Sequence, residues 1–434
     1  MASTRAGRWP DWRIAIVAVV AILFAVMVML PEHSRDAAWT QMGISPLNPP
    51  FSDTRAITAS WQCTRQGVDV MVRNPCDPWG RIMQYPKAWM VLAPLGFGQD
   101  LTNLFGIANA LLALGAVILV MGRVRRIWEA GLYLVLLLSP PVLLLVERGN
   151  VDGLMLALVG ISMVLWSAQS KAVRAPALVL LELAAVLKLY PIVTVWALLR
   201  RGGRGTLSAV TAAIAVFGIY LLATWKEIAQ VGALTMQGTS PAYGVGVLVV
   251  AIRHPGVYGG PLLVRVGQGR GDAFLRVGVI LSVIGLAAFL GWVVRRAALK
   301  SVGDPGGAPW HLDAYLAGSL VYTSSFLLFN NWDYRMAFVL LAVPQLLTWS
   351  RAPEHRLAWL ARGAILSFVV AALSSRFSPQ AAFPYGLGQT AKTALCVLLL
   401  ALILLELRDR LRRWSPMILN AIGRPRLGAP SGAA

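Results

Sequence analysis

The chain has 434 residues, of which 57% are hydrophobic and 13% are charged, and its formal net charge is +20. A typical soluble domain has about 25% charged residues, so this composition excludes an ordinary soluble enzyme and indicates a multi-pass membrane protein. The excess of arginine and lysine fits cytoplasmic loops that set membrane topology. For a membrane protein we expect membrane lipids as partners. Because the sequence has no nucleic-acid-binding motif, we do not expect nucleic acid as a partner.

Apolar segments of nearly membrane-spanning length recur along the chain. The first, residues 14–30, follows a basic N-terminus and has no small-residue cleavage site after it, so we interpret it as a retained span rather than a signal peptide. Pro140 and Pro141 predict a kink in the span at residues 127–146. The remaining predicted single spans are residues 101–121, 151–168, 207–225, 273–294, 313–329, 336–349, 363–374 and 390–407.

Residues 175–199 are apolar but have basic residues beyond both ends. A single crossing would then violate the rule that basic loops stay in the cytoplasm. We therefore predict two short helices that meet at residues 188–191 and whose outer ends both face the cytoplasm. Broken helices of this kind are tolerated where they line a cavity walled by protein.

These segments predict an all-α membrane bundle of about ten to twelve spans with both termini in the cytoplasm. We assign residues 1–422 to one integral membrane domain, with outer loops at residues 31–87 and 226–272, and residues 423–434 to a disordered cytoplasmic tail. The expected location is the cytoplasmic membrane of a bacterium, with the functional site facing outwards.

The longest polar run, residues 51–89, follows the first span. An amphipathic helix is predicted at residues 54–70, and two roles remain open for Asp53. In the first, it or Ser52 caps this helix, as aspartate and serine often do. In the second, Asp53 acts as a general base, and the two roles are compatible. Asp77, between two prolines in the sequence, favours a turn. Cys63 and Cys76 lie close in sequence on the expected oxidising side, which leaves open whether they are bridged or free.

Other polar residues gather where predicted spans reach the outer side, and together they indicate an outward cavity with carboxylates among basic groups. For Lys188, the sequence leaves open a pair with Glu182 or contact with a phosphate. For Arg335, the alternatives are a pair with Asp333 or bidentate binding of a phosphate. The cysteines form no metal-binding motif, so no metal or cofactor is expected. The further candidate residues are Arg55, Arg81, Tyr85, Lys87, Arg148, Asn150, Asp152, Tyr190, Trp332 and Tyr334.

Three places in the chain resemble C-type integral-membrane glycosyltransferases, and in particular glycosyltransferase family 87, the polyprenyl-phosphate-mannose-dependent mannosyltransferases. The first is Asp53 in the sequence Phe-Ser-Asp-Thr-Arg. The second is residues 148–152, Arg-Gly-Asn-Val-Asp, with Asn150 where the family has glutamine. The third is residues 187–191, Leu-Lys-Leu-Tyr-Pro, which looks like the family's Lys-x-x-Pro block.

The resemblance implies an inverting glycosyltransferase with a C-type architecture and a lipid-linked donor. In this interpretation Asp53 is the catalytic base, and Arg335, Lys188, Arg81 and Arg55 bind the donor phosphate. The implied reaction transfers mannose or another hexose from a polyprenyl phosphate to a lipid or cell-envelope glycan. Many family members carry a Trp-x-His-His sequence late in the chain, whereas residues 330–335 here read Asn-Asn-Trp-Asp-Tyr-Arg, without histidine.

Two other function classes remain open from the sequence. A transporter or flippase for a lipid-linked glycan would use the same outward cavity, but it should also carry inward-opening charges within its spans. A polysaccharide polymerase or ligase would use a diphosphate-linked donor.

Overall fold

The computed structural model describes residues 11–234, 240–253, 270–298, 308–328, 330–378 and 381–421. The fold is 78% helix and 1% strand, which confirms the all-α fold class. The α-helices are α1 (Arg13–Met29), α2 (Glu32–Gln41), α3 (Ser52–Arg65), α4 (Thr102–Met121), α5 (Ile127–Leu137), α6 (Pro140–Arg148), α7 (Asp152–Trp166), α8 (Lys171–Lys188), α9 (Val195–Leu198), α10 (Arg204–Ala223), α11 (Trp225–Leu234), α12 (Val245–Arg253), α13 (Arg270–Ala298), α14 (His311–Leu328), α15 (Val343–Trp349), α16 (His355–Ser374) and α17 (Ala382–Ala421).

Shorter elements connect these helices. The 3-10 helices are Lys87–Leu95, Gln99–Leu101, Tyr190–Thr194, Leu199–Arg201 and Asp333–Leu341. Strands β1 (Ala242–Tyr243) and β2 (Asn331–Trp332) pair antiparallel, with Ala242 opposite Trp332. The sequence did not predict this pairing, which joins the segment before α12 to the turn that follows α14.

Five helical segments in the described residues are long and apolar enough to cross a membrane: Gln99–Met121, Arg204–Ala223, Asp272–Val294, His355–Ser374 and Ala382–Arg408. The bent pair of α5 and α6 makes a sixth if it is counted as one span. The chain is thus a multi-pass helical membrane bundle, while ten to twelve crossings stay a prediction. Helices α1 and α7 are apolar but shorter.

Prolines break the chain at two of the predicted places. Helices α5 and α6 meet at an angle of 48°, which confirms the kink at the proline pair. Helix α8 ends at Lys188, where Leu189 takes a positive φ of 48°. Pro191 has no N–H to donate to the Leu187 carbonyl, and the Trp89 indole donates to that carbonyl instead, over 3.0 Å.

Helix α3 differs from its prediction at both ends. Phe51, with a φ of 58°, occupies the N-cap position, and Asp53 lies in the first turn, so the alternative in which Ser52 or Asp53 caps the helix is wrong. The helix ends at Arg65 rather than at residue 70, because Gly67 takes a φ of 75° and turns the chain. Cys63 in the last turn forms a disulfide with Cys76.

The start of α3 is fixed by the Phe51 side chain. Its ring fills a notch at Gly106 of α4, where an added Cβ would overlap the ring. Gly149 lies on another side, and a Cβ there would come 2.9 Å from the Cβ of Phe51. Two glycines therefore admit the ring, and they hold α3 against α4 and the turn between α6 and α7.

Helix α14 lies in the interior, with Tyr315, Tyr322 and Phe326 fully buried. Gly318 permits close approach of the Phe338 carbonyl, which a side chain would block. The free Cys396 is buried in α17. The predicted tail at residues 423–434 and residues 254–269 of the second outer loop lie outside the described residues.

Candidate functional site

Four separate parts of the chain converge beside the start of α3. They are the first turn of α3, the turn between α6 and α7, the break after α8, and the 3-10 helix Asp333–Leu341. Each part contributes one residue, in this order: Asp53, Asn150, Lys188 and Arg335. Hydrogen bonds and ion pairs connect all four parts. The structure therefore brings together residues that the sequence placed up to 282 positions apart.

Asn150 connects Asp53 to the other charged groups. Its Nδ2 donates to Asp53 Oδ2 over 2.5 Å. Its Oδ1 accepts from Lys188 Nζ at 3.0 Å and from the Asp152 amide at 2.8 Å. An amide oxygen only accepts and an amide nitrogen only donates, so this orientation satisfies all three contacts. Asn150 is fully buried, whereas the Asp53 side chain keeps 21% of its exposure.

Asp152 is a fully buried carboxylate that faces two cations. Lys188 Nζ lies 2.5 Å from its Oδ1, and Arg335 Nε lies 3.3 Å from its Oδ2. The pairing alternative is therefore wrong for both cations, because Lys188 does not pair with Glu182 and Arg335 does not pair with Asp333. The cause is tertiary, because α7 brings Asp152 between them.

Aromatic rings enclose these two cations. Lys188 Nζ lies 5.1 Å from the ring centre of Tyr85 and 5.8 Å from that of Tyr334. The Arg335 guanidinium carbon lies 4.3 Å from the ring centre of Tyr190. Such cation–π contacts orient the two cationic groups. Burial raises the pKa of Tyr85 well above its ordinary value of 10, and the nearby Asp53 carboxylate adds to this, so the phenol remains a donor.

Arg81 approaches Asp53 from the loop after α3. Its Nη1 lies 3.8 Å from Asp53 Oδ1, and its Nη2 donates to the Ser52 carbonyl at 2.6 Å. The buried Asp77 holds the same guanidinium, with Arg81 Nη2 at 2.9 Å from its Oδ2. Asp77 Oδ1 also accepts from the Trp79 amide at 2.9 Å, which confirms its role in a turn.

Several candidate residues lie elsewhere. Lys87 is exposed and pairs with Glu227 of α11 at 3.3 Å. Arg55 points to Gln99 and to the Pro50 carbonyl, at 3.4 and 3.3 Å. Arg148 pairs with Glu147 at 3.1 Å, as expected for two adjacent residues of opposite charge. Trp332 lies in β2, opposite Ala242, and among the described residues its side chain forms no hydrogen bond or ring contact with the cluster.

Asp333 has a different partner, which the sequence analysis missed. Lys392 Nζ lies 2.9 and 2.7 Å from its two carboxylate oxygens, and both side chains are almost fully buried. A signal was available, because Lys392 is a lone cation at the start of an apolar run, and ionisable groups in such runs usually have a function or a partner.

The cluster offers a partly exposed carboxylate beside two cations that share one buried carboxylate. This arrangement suits removal of a proton at Asp53 and stabilisation of negative charge near Lys188 and Arg335. Within the described residues, no group of three or more histidine, cysteine, aspartate or glutamate side chains could hold a metal ion.

The chain matches no protein-family model, no curated protein and no solved structure.

Proposed function

We propose that the protein is a membrane glycosyltransferase that transfers one hexose, such as mannose, from a polyprenyl-phosphate donor to a lipid or glycan acceptor outside the cytoplasm. The observation that carries the proposal is the position of the Asp53 carboxylate, which is partly exposed and connected through Asn150 to Lys188. The likeness of Asp53 and residues 148–152 and 187–191 to C-type family motifs supports the same function.

In the proposed reaction, Asp53 accepts the proton of the acceptor hydroxyl while the oxygen of that hydroxyl attacks the anomeric carbon. The bond between this carbon and the phosphate oxygen breaks at the same time, and polyprenyl phosphate departs with the bonding electrons. A single displacement inverts the anomeric carbon. Asn150 is a positioning residue in this scheme, because its hydrogen bond fixes which Asp53 oxygen stays available.

Lys188 and Arg335 are proposed to stabilise the departing phosphate. Asp152 supplies one negative charge for these two cations. Asp152, Lys188 and Arg335 together therefore carry a net positive charge at neutral pH. The Lys188 ammonium has three N–H donors, and Asp152 and Asn150 engage two of them. The remaining donor suits a phosphate oxygen, and Arg81 on the other side of Asp53 suits a second contact.

A transfer assay tests the proposal. Purified full-length protein is incubated with radiolabelled polyprenyl-phosphate hexoses and membrane lipid extract, and labelled lipid or glycan product is measured. We expect a product with the inverted anomeric configuration. A requirement for a diphosphate-linked donor indicates a polymerase or ligase instead. Movement of labelled lipid between bilayer leaflets without transfer indicates a flippase.

A further inference from the structure

A cavity with two arginines in its lining lies beside the turn that carries Asn150. Its volume is about 310 Å³, which reaches the lower end of the range for small-molecule sites. Arg148 and Asp333 line it, and each lies two residues from a member of the Asp53 cluster, Asn150 and Arg335. Two residues span at most about 7 Å, so the cavity adjoins the cluster but is built from different side chains.

Arg148 and Arg376 place two guanidinium groups at the cavity. The Arg148 side chain is 18% exposed, its Nε lies 3.1 Å from Glu147 and its Nη2 donates to the Ser45 carbonyl at 3.1 Å. Its Nη1 is buried and has no hydrogen-bond partner within the described part of the chain. Since a buried donor without a partner is costly, this nitrogen favours a ligand that accepts a hydrogen bond.

Arg376 is exposed at the edge of the cavity, and no carboxylate of the described residues lies within ion-pair distance of it. Its backbone packs on Gly43, where an added Cβ would come 2.5 Å from the Arg376 Cβ. Of the charged groups nearby, Glu147 pairs with Arg148 and Asp333 pairs with Lys392, so these two pairs carry no net charge. The net positive charge of the cavity therefore comes from Arg376.

The rest of the lining combines polar and apolar residues. It includes the hydroxyl-bearing Ser45, Ser240 and Ser378 and the apolar Pro140, Leu144 and Phe377. Pro140 and Leu144 belong to α6, half of the bent apolar pair that is long enough to span a membrane. A site that combines arginines and hydroxyls with residues of a membrane-type helix fits an amphiphile with an anionic head.

We propose that this cavity binds the phosphate headgroup of a membrane lipid, separately from the phosphate site at Lys188 and Arg335. Arginine binds phosphate oxygens through charge-assisted hydrogen bonds, and its planar fork suits two of them. The acyl chains lie along α6. This assignment does not require the protein to be a transferase.

Binding of a phosphate-monoester lipid tests the inference. Full-length protein in detergent is titrated with phosphatidic acid, and bound lipid is counted by native mass spectrometry. We expect Arg376→Gln to weaken binding at least about tenfold, since a hydrogen bond to a charged group is lost. Arg125→Gln, which removes an exposed arginine elsewhere, should bind like the wild type.

Competition experiments distinguish a phosphate that belongs to a lipid from a phosphate that belongs to a soluble ester. Diacylglycerol, which lacks phosphate, should not compete, and glycerol 3-phosphate, which lacks acyl chains, should compete at least about tenfold more weakly, because burial of acyl chains supplies binding energy. Equal binding by Arg376→Gln and the wild type overturns the site. Equal competition by glycerol 3-phosphate overturns the lipid assignment. Since lipid binding is measured without turnover, a failed transfer assay leaves this inference intact.

Discussion

Lys392 of α17 donates to both carboxylate oxygens of Asp333, at 2.9 and 2.7 Å, and to the Ala242 carbonyl at 3.2 Å. The Lys392 side chain is 3% exposed and that of Asp333 is 1% exposed. One ammonium group thus connects α17, β1 and the start of the 3-10 helix that carries Arg335. This pair therefore helps to hold in place the 3-10 helix that carries Arg335.

We expect Lys392→Met to destabilise the protein strongly. It leaves Asp333 buried without a counter-charge, and breaking a buried pair costs about 3–5 kcal/mol. The free energy of unfolding is measured in detergent by denaturant titration. Lys87→Met is the control, because its pair with Glu227 is exposed and such pairs contribute less than about 1 kcal/mol.

The double variant Lys392→Met with Asp333→Asn separates the two sources of the loss. It removes both charges, so it should recover a large part of the stability that the single variant loses. A single variant within about 1 kcal/mol of the wild type would contradict the described role of the pair.

Features set by local chemistry could be predicted from the sequence. The break at residues 188–191 follows from the missing N–H of Pro191, and the kink follows from the proline pair at the start of α6. The partners of the charged residues could not be predicted in this way. Asp152 meets Arg335 across 183 positions, and such pairs depend on how the helices pack. The end of α3 was missed because Gly67 interrupts a pattern that otherwise remains helical.

The disulfide between Cys63 and Cys76 leads to a defined thiol count. The protein has three cysteines, and Cys396 is free. We expect one reactive thiol in the denatured, unreduced protein and three after reduction, counted by the gel shift of a polyethylene-glycol maleimide. Three thiols without reduction, in protein from cells that make disulfides in that compartment, would contradict the pairing.

The proposed topology places exposed positions on opposite sides of the membrane. Lys87 is the last residue of the predicted first outer loop, and Arg125 lies between two predicted spans on the cytoplasmic side; both are exposed. We expect an impermeant maleimide to label Lys87→Cys in intact cells. Arg125→Cys should be labelled only after permeabilisation. The reverse pattern would place Asp53 on the cytoplasmic side and rule out the proposed orientation.

Asn150→Asp should change the pH dependence of the proposed reaction. The variant places a second carboxylate at the 2.5 Å contact with Asp53, and a like charge disfavours the ionised base. The base then works only at higher pH, so the acidic limb of kcat/KM should move upwards by at least about one pH unit. Asn150→Ala removes the hydrogen bond without adding charge. The acidic limb of kcat/KM for this variant should stay closer to that of the wild type. An unmoved limb in Asn150→Asp would show that Asp53 does not limit the rate.

Asp53→Asn tests the base itself. Asparagine keeps an oxygen that accepts the Asn150 hydrogen bond, and the lost pair with Arg81 spans 3.8 Å at a partly exposed site. The variant should therefore fold and retain the donor lipid, which binding of labelled polyprenyl-phosphate hexose measures. Because asparagine cannot accept the proton, turnover should fall at least about 100-fold. Asp100→Asn, at an exposed position of the same region, is the matched control and should keep wild-type activity. If Asp53→Asn retains more than about a tenth of the wild-type rate, Asp53 is not the base, and Asp77, which contacts the same arginine, becomes the next candidate.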